Sequence, residues 1–138
     1  MIKTMADAEA RFGVTHLDHL DRDAGIPVVT RSACQGDVSI RRVKHIASAG
    51  KTVPAQGTVV LAGDHAHVLF AIAGEHGAVS YAPASAGDGP LALGVLTVPE
   101  GSRALLDHLE HGDLLIAPGT YMVGRQREFA GEWRQVAD

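Results

Sequence analysis

From Gln35 onward the chain is a succession of short runs rich in Val, Ile and Leu, each cut off within about ten residues by Gly, Pro or Asp. Interruptions this frequent suit strands, which need only about five or six residues before a turn. Seven strands are predicted, over 37–46, 57–62, 65–73, 77–82, 91–98, 113–116 and 120–127. The separators, among them Ala62-Gly63-Asp64, residues 85–90 and Pro118-Gly119, carry the chemistry of tight turns. No helix of about 10–15 residues stands between successive strands, which excludes a doubly wound α/β sheet. A mainly β chain remains, a single small β-barrel or β-sandwich.

Two regions depart from that pattern. In residues 102–111, Leu105, Leu106 and Leu109 have helical spacing, but the segment fits a strand followed by a turn equally well. Ahead of the strands, Met5, Ala6, Ala8 and Ala10 favour a helix that Gly13 stops. Thr15 and Asp18 open a second short helix over 15–24, ended by Gly25 and Pro27. Neither is long enough to be stable in isolation. Residues 1–30 are therefore a short helical N-terminal arm that docks on the β domain of residues 31–138 or on a neighbouring subunit.

A length of 138 residues suits one domain. With three Phe, two Tyr and one Trp, its core must be built from small aliphatic side chains. The apolar runs fall well short of the ~20 residues needed to span a bilayer, so no membrane partner is expected. The N-terminus lacks the continuous apolar run of a signal peptide. The single cysteine, Cys34, excludes an internal disulfide and a cysteine-based zinc site, and is expected to be an inert buried thiol. These features point to a cytoplasmic setting, or a virion if the chain is a structural subunit.

The net charge of −4 disfavours nucleic acid as a partner, because counterion release needs a cationic face. The charge is nevertheless uneven. Arg31, Arg41, Arg42, Lys44 and Lys51 face a single acid, Asp37, within one 21-residue window. Residues 52–102 then contain no Lys or Arg and only four acids, as expected of interior or of subunit interface. The second option makes the chain a homo-oligomer, a self-assembling structural module of the phage or shell type.

The eight histidines include three close pairs, His16/His19, His65/His67 and His108/His111. Residues two apart on a strand share a face, so an extended segment brings His65 and His67 together. A β-fold that adds His108 and His111 supplies four imidazoles, a donor set for Zn, Fe, Ni or Cu. The site either binds such a metal or, metal-free, does acid–base chemistry on a small polar ligand. Glu110, between the last two, is placed for the catalytic role, and with a metal the reaction classes are metal-assisted hydrolysis or oxidation. The competing reading turns Ala66 and Val68 to the core and His65 and His67 to solvent. His16 and His19, one helical turn apart, are expected on the surface. Arg125 and Arg127 share a strand face and form a guanidinium fork for an anionic ligand, unless Glu110, Asp113 or Glu128 pairs with them. Trp133 is expected to anchor the C-terminal tail by packing.

Two resemblances rest on these motifs. His65-Ala66-His67, with Gly112 and Pro118-Gly119, resembles the two cupin motifs, which implies a β-barrel binding a metal through histidines and a glutamate. Here Glu75 lies eight residues past His67, and Thr120 and Tyr121 stand where cupins carry the later histidine. Over residues 35–138, the runs Gln35-Gly36-Asp37-Val38, His65-Ala66-His67-Val68, His108-x-Glu110-His111-Gly112 and Pro118-Gly119-x-Tyr121-x-Val123-x-Arg125-Gln126-Arg127-Glu128-Phe129 resemble a group of small bacterial and phage-type β-proteins. That likeness adds weight to the histidines and to the Arg-Gln-Arg segment without implying a reaction.

Overall fold

A computed structural model describes residues 1–46, 50–72, 77–129 and 133–135, the backbone alone for 127–129 and 133–135. Among the described residues one α-helix, α1 (Met5–Phe12), precedes thirteen strands: β1 (Val28–Val29), β2 (Ser32–Gln35), β3 (Val38–Val43), β4 (Lys51–Thr52), β5 (Thr58–Leu61), β6 (His67–Ile72), β7 (Ser80–Pro83), β8 (Ala92–Val98), β9 (Arg103–Asp107), β10 (Leu114–Ile116), β11 (Gly119–Arg125), β12 (Arg127–Phe129) and β13 (Trp133–Gln135). They form a five-stranded sheet in the order β1-β10-β9-β6-β5 and a six-stranded sheet in the order β2-β3-β11-β8-β7-β4. β12 and β13 pair as a separate hairpin. Neither sheet closes on itself among the described residues.

Side-chain alternation makes the five-stranded sheet the middle layer of three. Leu69, Ala104, Leu106, Leu114 and Ile116 point one way and share a core with Val38, Ile40, Leu96, Tyr121 and Val123 of the other sheet. Their neighbours Phe70, Leu105 and Leu115 point the opposite way and pack against Ile2, Ala8 and Ile26 of the arm. Phe12 stacks on Phe70 with ring centroids 4.6 Å apart. A sheet covered on both faces has little place for charge, which accounts for the absence of Lys and Arg from β6. The arm thus docks on its own domain.

The predicted helix over 15–24 does not form. Those residues make two turns, tethered by the Leu17 N–H to Leu109 C=O bond and by the Thr4–Gly25 bridge. Long-range contacts outweigh a weak local propensity there. Residues 102–111 resolve as β9 and a turn. α1 has the ends its sequence asks for: Thr4 and Asp7 form a capping box, and Gly13 takes the left-handed conformation at φ 71°. No helix among the described residues is long and apolar enough to cross a membrane.

Candidate metal centre

The turn between β9 and β10, residues 108–112, organises the polar interior. Leu114 lies opposite Leu106 in the antiparallel register. One step further out, Asp113 faces Asp107 across the hairpin, and both side chains turn to the arm side of the sheet. Two carboxylates so placed repel each other unless something positive stands between them.

His16 of the arm stands there. Its Nε2 is 2.8 Å from Asp113 Oδ1 and 3.2 Å from Asp107 Oδ1. Its Nδ1 is 3.0 Å from Glu9 Oε2, which also accepts from Arg22 Nε at 2.9 Å. The side chains of His16 and Asp113 are wholly enclosed and that of Asp107 is 10% exposed. Asp107 Oδ1 and Asp113 Oδ2 are buried and accept no hydrogen bond. Burial first, then the hydrogen bond and charge of Asp113, push the Asp107 carboxyl up to about 8. Burial by itself would lower the His16 pKa; the hydrogen bonds to Asp113 and Glu9 and the charges of Asp113 and Asp107 outweigh it, so the imidazole is raised.

His16, Asp107 and Asp113 are the one group among the described residues that brings three such donor atoms within 4.8 Å of one another. Sequence reasoning placed His16 on the surface, on a helix that does not form; it is 4% exposed. The signal that was available was the flanking of the His108–Gly112 turn by two aspartates at β-hairpin spacing.

The predicted histidines do meet, in a different arrangement. On the core side of the same sheet edge, the fully buried His67 ring lies 4.2 Å from His108, which lies 4.6 Å from the exposed His111; the His65 ring is 6.0 Å from His108. β6 begins at His67, so His65 belongs to the preceding turn. His67 faces the core between the sheets and Val68 the arm-side core, because the sheet is covered on both sides.

His108 holds the turn together. Its Nδ1 accepts from the backbone N–H groups of Glu110 and His111 at 3.2 and 3.0 Å, and its Nε2–H donates to the His65 carbonyl at 3.0 Å. The ring is therefore the neutral Nε2–H tautomer with both nitrogens committed to backbone. Gln35 fixes His67: its amide donates to Leu106 O and Gly112 O at 2.9 and 2.6 Å, and its oxygen accepts from His67 Nδ1 at 2.8 Å. Asp37 Oδ1 lies 3.6 Å from His67 Nε2. Glu110 is an exposed turn residue whose carbonyl accepts from His19 Nε2 at 3.0 Å. Arg125 ends β11, whereas the side chain of Arg127, like that of Trp133, lies outside the described residues. Cys34, expected to be buried, is exposed on the edge strand β2.

No curated protein and no solved structure matches the chain, so the likeness to cupins rests on short motifs alone. A family model described as a domain of unknown function (DUF8820) matches residues 34–126. That span includes Gln35, His67, Asp107, His108 and Asp113 and leaves out Glu9, His16 and Arg22 of the arm. The chain therefore belongs to the DUF8820 family of domains of unknown function.

Proposed function

We propose that this protein binds a divalent metal ion through His16, Asp107 and Asp113, and that the ion clamps the N-terminal arm onto the β domain. The observation that carries the reading is the convergence of three donor atoms in a buried site where two carboxylate oxygens accept no hydrogen bond. Two buried carboxylates are expensive on their own, and a doubly charged cation cancels them. At metal–ligand bonds of about 2.0–2.1 Å, tetrahedral donors stand about 3.3 Å apart. The spacings of 2.8 and 3.2 Å around His16 Nε2 need to open by only a few tenths of an ångström. Glu9, anchored by Arg22, would orient the imidazole through Nδ1–H, as carboxylates commonly do behind a metal-bound histidine. Zn²⁺, Fe²⁺, Ni²⁺ and Cu²⁺ suit one imidazole, and the two carboxylates add Mn²⁺.

The test is titration of chelator-treated protein with Zn²⁺, Mn²⁺ and Co²⁺ by calorimetry, with Co²⁺ absorption reporting geometry. One ion per chain is expected, lost in His16→Ala and Asp113→Ala. Binding that survives both and disappears in His65→Ala/His67→Ala would move the site to the histidine column; no stoichiometric binding at all would end the proposal.

A self-assembling module is a second reading, supported by Val28 and Val59. They are 58% and 56% exposed on β1 and β5, the two edge strands of the five-stranded sheet. Light scattering decides it: a monomer at high concentration would count against assembly.

A further inference from the structure

We infer that the outer face of the β2–β3 hairpin binds the phosphate group of a small organic phosphate, whose apolar body lies in the adjoining cleft. β2 and β3 pair so that Ser32 faces Arg41 and Cys34 faces Ser39, all on the side of the six-stranded sheet away from the core. At the open end of the hairpin a pocket of about 470 Å³ is lined by Thr30, Arg31, Ser32, Arg41 and Arg42. The three arginines are exposed and none makes an ion pair among the described residues; Arg42, which follows Arg41 on β3 and so starts from the other face, reaches back to donate from Nη1 to the Thr30 carbonyl at 3.2 Å. The one acid of this segment, Asp37, is 6% exposed and turned inward to His67, so it does not neutralise them. Arginines with no carboxylate partner, beside two hydroxyl residues, match the acceptor oxygens of a phosphate.

The second half of the site is different in kind. A cleft of about 480 Å³ shares Ser32 and Arg41 with that pocket and continues over the small or apolar Cys34, Ala92, Met122 and Gly124, with Arg125 also in its lining. These small or apolar residues leave room for a body the size of a nucleobase and offer it dispersion contact. An end with three arginines and a mainly apolar cleft with one further arginine, Arg125, joined by common residues, select an amphiphilic phosphate over inorganic phosphate. This site lies on the opposite sheet from His16, Asp107 and Asp113, so its test is independent of the metal.

The experiment is calorimetric titration of the full chain, with and without chelator, using adenosine monophosphate, adenosine and inorganic phosphate as probes. Adenosine monophosphate should bind more tightly than either fragment. Arg41→Gln should weaken it about tenfold, as loss of one charge-assisted contact implies, and Arg31→Gln/Arg42→Gln should weaken it further. Met122→Lys should weaken adenosine monophosphate while sparing phosphate. The inference fails if adenosine monophosphate does not bind at millimolar concentration. It also fails if Arg41→Gln, shown folded by its melting curve, binds as the parent does. A short single-stranded oligonucleotide binding in place of the mononucleotide, with a steep salt dependence, would overturn the small-ligand assignment in favour of a nucleic-acid backbone.

Discussion

Asp107 and Asp113 face each other across the mouth of the β9–β10 hairpin, and the imidazole of His16, from an arm more than ninety residues away in sequence, stands between them. The domain supplies both negative groups and the arm supplies the group that joins them. Arm docking and the protonation state of this cluster are therefore linked.

That linkage sets the pH dependence of the metal-free chain. Asp107 is raised from 3.8 to about 8 and His16 is raised above 6.5, so the folded state holds protons that the unfolded chain releases. The stability this contributes is fully present below the unfolded pKa values and is lost as pH rises through the folded ones. Melting temperature in chelator should fall between about pH 4 and pH 8, and Asp107→Asn should flatten the fall. A melting temperature that climbs steadily across this range would contradict the assignment.

Saturating metal should reverse that trend. An ion at one hundred times its dissociation constant stabilises by about 2.7 kcal/mol. Because the ligands bind it deprotonated, the gain should grow from pH 6 to pH 8. Thermal melts with and without Zn²⁺ at the two pH values check this, and an equal shift at both would be the contrary result.

Phe12 and Phe70 stack at 4.6 Å and hold α1 against the sheet just ahead of His16. Phe12→Ala should cost roughly 2 kcal/mol of stability. It should also weaken metal binding about tenfold, although it touches no ligand, because positioning His16 then costs binding energy. Calorimetry on the variant separates the two effects.

His108→Ala leaves two turn N–H groups and the His65 carbonyl without their partner. The expected loss is about 2–3 kcal/mol in urea unfolding. His111→Ala, at an exposed position on the same turn, should cost roughly 0.5 kcal/mol. Comparable losses from both would refute the keystone role of His108.

Gly94 tests the packing of the six-stranded sheet. A Cβ there would come within 2.4 Å of the Tyr81 ring and 2.7 Å of the Ala82 carbonyl. Gly94→Ala should therefore destabilise by about 3 kcal/mol, at the upper end for overpacking. A variant that melts like the parent would show that the ring moves aside at little cost.

The sequence by itself determined the mainly β character, seven of the strands (β3, β5, β6, β7, β8, β10 and β11) to within a few residues, and the helix at the N-terminus. Those follow from apolar runs, turn residues and caps, which act within a few positions of one another. It also singled out His67 and His108, because close histidine pairs are visible in one dimension. Which sheet face was core was decided only by tertiary structure: with the arm on one side and the second sheet on the other, Leu105 and Leu106 are buried on opposite faces and alternation carries no sign. The two-residue strands β1 and β4 exist only because longer neighbours offer them a ladder. The His16 site was likewise beyond sequence, since its donors come from positions 16, 107 and 113 and meet only when the arm folds back over the hairpin.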